Sequence, residues 1–254
     1  MTGRMLRARA FGFAFDRVLQ VLAAAAALLP LTFLMGLPEE LRDAPIAVRA
    51  EFAGEARTVA MVYAAALAAV YGSFRYTVDH RDGVIARQVT LGKRMPVIAS
   101  RVPFIILGGV LIAAVVAASC HGVLWIALGG VPLPAGDGAG GAAVLGSVPR
   151  TMGIGALAAV WGFSLGVVVR RHILALFVVP FSLTAALPLA GYAPVLAGWL
   201  PLPALARALG FDLSSFGLAG ASASASALAL VESAAWIGAA LCVALLLFAR
   251  RDVK

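Results

Sequence analysis

A chain of 254 residues that is 62% hydrophobic and 13% charged, with a mean hydropathy of +0.99, is far more apolar than soluble domains, which run at roughly 45–50%. Its charges cluster and leave long uncharged runs, and a hydrocarbon core about 30 Å thick takes about 20 apolar residues to cross as helix. A soluble core could not hide so many such runs, so the composition predicts an all-α, polytopic membrane protein. The net charge of +8 does not point to nucleic acid, because the basic residues gather at the ends of the apolar runs, where they set orientation. Cys120 and Cys242 form no CxxC pattern and imply neither a disulfide scaffold nor a metal site.

Residues 1–17 carry Arg4, Arg7, Arg9 and Arg17 beside Phe11, Phe13 and Phe15. Phe11, Phe15, Leu19 and Leu22 follow helical spacing, which suits either a helix lying among lipid headgroups or an ordinary basic tail. The run that follows has no small-residue cleavage site before Pro38, so residues 18–36 are expected to be a first transmembrane span rather than a signal peptide, kinked at Pro30. An acidic connector over 37–57 holds Glu39, Glu40, Asp43, Glu51 and Glu55. Span two is expected over 58–74 and span three over 102–124, with an end anywhere between Ser119 and Leu128.

The Gly- and Pro-rich stretch 129–150 reads as a flexible loop. Span four is expected over 151–169, closed by Arg170, Arg171 and His172, and span five over 173–197, broken by Pro180 and Pro188. A mixed region over 200–232 holds a short helical piece near 203–209 and an Ala/Ser run at 220–230. Span six is expected over 233–249. Six spans put both termini on one side. That side would hold fifteen of the twenty Lys and Arg residues and the other five (Arg42, Arg49, Arg57, Arg150 and Arg207), which predicts cytoplasmic termini. No Asp, Glu, Lys or Arg falls inside an expected span, which argues against a proton-coupled pump; Glu232 and His121, near span ends, read as interfacial. Gly162 and Gly166 form a GxxxG pattern that serves either packing within the chain or a dimer contact.

The chain is organised around residues 75–101, which hold six of the twenty Lys and Arg residues between spans two and three. Gly83 suits a tight bend where a helix leaves the membrane. Val84, Gln88 and Leu91 share one helical face, with Arg87 and Arg94 pointing elsewhere. A short amphipathic helix there is a lever: a partner pushing on it would tilt spans two and three together.

This stretch resembles the first cytoplasmic loop of ABC-2 type transporter permeases, the membrane subunits of bacterial ABC exporters. Asp79 falls on the family's acidic position, Gly83 on its glycine, Arg87 within its helix, Arg94 on its turn and Arg101 on its last basic position. Leu165, Gly166, Arg170, Ala175 and Leu176 resemble the family's span-four exit, and Trp199, Leu200 and Pro201 its outer-loop Leu-Pro. Val84 stands where threonine is usual, Gly92 where proline is common, and Asp79 where glutamate is more usual.

The resemblance implies a six-span permease in the bacterial inner membrane, working as a homodimer or as a heterodimer with a second permease. It also implies a pair of cytosolic ABC ATPases that bind ATP and Mg, and a coupling helix formed around Asp79, Gly83, Val84, Arg87 and Arg94 that docks on them. The chain would carry no cofactor of its own and no catalytic residues. Consistent with that division, it has no GxxxxGK[ST] phosphate loop, since Gly92-Lys93-Arg94 lacks both the earlier glycine and the hydroxyl residue. The resemblance favours export, and the largely apolar spans fit hydrophobic cargo such as a drug, lipid or peptide, although Tyr63, Ser164 and Thr184 could line an interface. Two other classes compete. One is a non-transporting membrane scaffold or assembly subunit. The other is a membrane-embedded enzyme, for which the separated His80, His121 and His172 offer no converging site.

Overall fold

The computed structural model describes residues 12–13, 16–32, 41, 43–90, 94–128, 141–218 and 223–250, with side chains from 146 and from 227 in the last two segments. Among these residues the fold is helical throughout, without strands. We number its helices α1 (Arg17–Leu28), α2 (Ile46–Arg81), α3 (Val84–Thr90), α4 (Arg94–Ala99), α5 (Val102–Ala127), α6 (Gly141–Val169), α7 (His172–Thr184), α8 (Ala186–Ala190), α9 (Pro194–Gly198), α10 (Pro201–Ala208) and α11 (Ala223–Arg250). Five helical runs are long and apolar enough to cross a membrane: α2, α4 with α5, α6 from Gly146, α7 with α8, and α11 from Ala227. By length and composition this is a membrane protein.

The spans differ from the sequence expectation mainly at their edges. The first one is helical over the 12 residues of α1, about 18 Å, and gives way to a turn at Leu29 and Pro30; residues 33–36 lie outside the described part. Asp16 caps its start, the carboxylate accepting from the backbone N–H groups of Val18 at 3.1 Å and Leu19 at 3.4 Å. The interfacial helix expected over 1–17 falls almost wholly outside the described residues.

The acidic connector is shorter than expected, because α2 begins at Ile46 and absorbs Glu51, Glu55 and Arg57. Its 36 residues measure about 54 Å, so the charged turns at both ends extend past a hydrocarbon core about 30 Å thick. The expected loop over 129–150 is helical from Gly141, with Pro149 inside α6, and the Ala/Ser run becomes the first turns of α11. Span five is not broken at Pro180, which lies within α7. The break comes at Ala185, and α8 and α9 continue as short pieces.

At the centre, α2 packs on α6, and both pack on α5. Small residues set these contacts. A Cβ added to Gly162 would overlap the Ala69 carbonyl, one on Gly72 the Ala159 carbonyl, and one on Gly166 would press on the Ser73 backbone. Across α5 and α6, Gly109 and Gly155 meet in the same way. The GxxxG pattern therefore packs α6 against α2 within the chain. Ser164, on the same helix, is fully buried and donates to the Val160 carbonyl at 2.8 Å.

Candidate functional site

The 75–101 stretch divides into the last turns of α2, the bend at Asp82 and Gly83, then α3, α4 and the start of α5. Gly83 has φ +68° and donates its N–H to the His80 carbonyl at 3.2 Å, which ends α2 and reverses the chain into α3. A left-handed residue at this position is the standard way to close a helix, and glycine adopts it without a Cβ penalty.

On α3 the inward side chain is Ile85, fully buried in the core cluster that holds Tyr76, Ile98 and Ile105, with Val89 packed against that cluster. Burying an isoleucine is worth about 2 kcal/mol, enough to seat a helix of only seven residues. Val84 and Gln88, expected to share one helical face, are half-buried on either side of Ile85, and Leu91 lies outside the described residues. Arg87 points outward as expected. It folds back on the bend, donating to the Asp82 carbonyl at 3.1 Å and the Gly83 carbonyl at 3.4 Å. Arg81, Asp82, Arg87 and Thr90 form one exposed polar surface on the turn. Arg94 opens α4 and donates to the Ala249 carbonyl of α11 at 3.0 Å, which ties the loop to the last helix.

A buried polar hub fixes this turn to the bundle. Arg101, 4% exposed at the start of α5, reaches the Asp79 carboxylate of α2 at 3.0 Å and the Gln88 side-chain oxygen of α3 at 3.0 Å. One guanidinium thus joins three helices, using the forked donor geometry that lysine lacks. One turn earlier on α2, Arg75 lies 3.3 Å from the Asp16 carboxylate, to which Tyr71 also donates at 3.2 Å. The N-cap of α1 is therefore held by the same end of α2. Arg75, Asp79, Arg101, Phe104 and Ile105 line a small cleft between the two ion pairs.

The structure thus brings Asp79 together with Arg101, while Gly83, Val84 and Arg87 sit on the turn and Arg94 at its far end. Sequence reasoning passed over Asp16, Tyr71, Ile85 and the bridging role of Gln88. Asp16 did carry a signal, an N-cap residue directly before an apolar run. Its ion pair spans 59 positions to Arg75 and left no local trace.

The other end of the bundle holds different chemistry. Glu232 pairs with Arg207 at 2.8 Å, and Arg207 also donates to the Gly198 carbonyl at 2.8 Å. His121 contacts the Ala117 carbonyl at 2.6 Å through Nδ1 and the Ser147 hydroxyl at 3.3 Å through Nε2. Both are part-buried near the ends of their helical spans, within two turns of Ala127 and Ala227. Among the described residues no group of three or more His, Cys, Asp or Glu side chains converges as a metal site would require. No family model matches the chain, and neither the curated proteins nor the solved structures contain a match to it.

Proposed function

We propose that this chain is the membrane-spanning permease subunit of an ATP-binding cassette exporter, coupled to a separate cytosolic ATPase that binds ATP and Mg. The observation that carries the reading is the turn itself. The turn presents exposed Arg81 at the end of α2, Asp82 in the bend and Arg87 on α3 to one side, and on the other α3 is tied through Gln88 to Arg101 of α5, which pairs with Asp79 of α2. A partner that displaced α3 would move two long helices at once, which is what coupling requires.

The sequence likeness to ABC-2 permeases supplies the rest of the proposal. It would place the basic end in the cytoplasm of a bacterium, with six spans counting α1, and would pair the chain with a second permease, identical or related. The cargo would be hydrophobic: a drug, lipid or peptide.

The deciding experiment is to tag the chain in its own cell, solubilise gently, and identify what co-purifies. A stoichiometric cytosolic ATPase with a phosphate loop is the expected result. Its absence, under conditions that preserve a known transporter, would overturn the reading in favour of a scaffold. Arg87→Glu should then abolish stimulation of that ATPase while leaving membrane insertion intact; unchanged stimulation would remove α3 as the coupling helix.

A further inference from the structure

An apolar groove opens at the same end of the bundle, away from the hub. Met95, Pro96, Ile98 and Ala99 of α4 and Val102 of α5 form one wall, and Leu241 and Leu245 of α11 form the other. Met95 is 47% exposed, so the groove is open to its surroundings. Its upper end is basic. Arg94 stands next to Met95 and reaches the Ala249 carbonyl, one turn beyond Leu245, and Arg250 follows, exposed. No carboxylate lines the groove among the described residues. At this end Asp16, Asp79 and Asp82 face Arg75, Arg101 and Arg81.

We infer that this groove binds an anionic glycerophospholipid, with one acyl chain between α4 and α11 and the phosphate on Arg94 and Arg250. The apolar walls lie just below the last turn of a span and the arginines at it, so the order of surfaces matches that of a lipid, tail below head. Arg250, exposed, presents a guanidinium with five N–H donors, and Arg94 adds a second positive charge at the same end of the groove. A second copy of this chain fits the groove less well. Two-fold symmetry would bring the patch against itself and set Arg94 and Arg250 against their own counterparts. The inference rests on the membrane reading alone and is independent of any ATPase.

The test uses the full chain carrying Met95→Trp, reconstituted in vesicles that contain phosphatidylglycerol or phosphatidylcholine with brominated acyl chains. Fluorescence lost relative to the parent chain, which holds four other tryptophans, reports occupancy of the groove. Each basic group near an anionic headgroup contributes about 1 kcal/mol, or roughly fivefold. The two arginines together should therefore let brominated phosphatidylglycerol half-quench the new tryptophan at a mole fraction roughly 25-fold below that of phosphatidylcholine. Arg250→Gln should reduce the preference about fivefold, and adding Arg94→Gln should abolish it. Equal quenching by the two lipids would overturn the inference. So would quenching by neither, together with concentration-dependent cross-linking of two chains through exposed Cys242, which would put a second copy in the groove.

Discussion

Helices α2 and α11 are both long enough to span a membrane, yet they do opposite things. The apolar window of α2 is about two thirds buried inside the protein, and that of α11 about a tenth. α2 is also the less hydropathic of the two, by a clear margin. In water this order would be perverse. In lipid it follows from the solvent: a helix facing acyl chains must be apolar, while a helix facing other helices gains from small residues that allow close approach. Accordingly α2 is rich in Ala, with Gly72, Ser73 and Thr77 on its buried surfaces. α11 displays Leu228, Leu230, Val231, Val243 and Leu246.

The sharpest way to break this contrast is at the glycine seam. Gly162→Leu forces a side chain into the Ala69 backbone, which cannot yield as a flexible side chain could, and should destabilise the protein by about 4 kcal/mol or more. Expected is loss of the monodisperse, folded species in detergent, read by size exclusion and thermal unfolding. A stable, monodisperse variant would mean that α6 does not approach α2 this closely.

Next in size is the hub. Arg101→Ala leaves Asp79 and Gln88 without their shared partner and should cost about 3 kcal/mol, the scale for removing one member of a buried pair. A double-mutant cycle with Asp79→Ala should return a coupling of about 1–3 kcal/mol, and a coupling near zero would dissolve the pair as an energetic unit.

Smaller again is Tyr71→Phe, which removes one hydrogen bond to Asp16 from the inner face of α2 and should cost about 1 kcal/mol. On the outer face of α11, Leu246→Ala changes a side chain that is 58% exposed and should fall within about 0.5 kcal/mol. If these last two effects came out in the reverse order, α11 would have a protein neighbour covering it.

How much of this was legible in the sequence follows the same division. Helical class, the apolar runs and the bend at Gly83 are local properties, and the left-handed φ of Gly83 is what the isolated glycine between polar residues suggested. Span edges were read from charge, and charge misleads where a helix outruns the bilayer. Glu51, Glu55 and Arg57 looked like loop because a loop is where charges are expected, yet they occupy the overhanging turns of α2. Pro180 looked like a break, but α7 continues through it and ends at Ala185. Within the turn, Arg87 and Arg94 drew attention by their charge. Both donate to backbone carbonyls, and the side chain that seats α3 is Ile85, one apolar residue among many. Asp16 and Arg75 meet only because α1 returns to the end of α2, a contact that no window of sequence contains.

The glycine seam has a mechanical consequence. Where two helices meet through side chains, each can roll a little as rotamers change. Where they meet backbone to backbone, as Gly162, Gly166 and Gly72 allow, there is nothing to roll on. α2 and α6 are thereby laminated into a single stiff beam, with the α3 turn at one end. At the other, Thr58 donates to the Asp212 carbonyl at 3.4 Å. A displacement applied at the turn would arrive at Thr58, about 35 Å along α2, with little lost to bending, on the side of the bundle where Arg207 and Glu232 are paired.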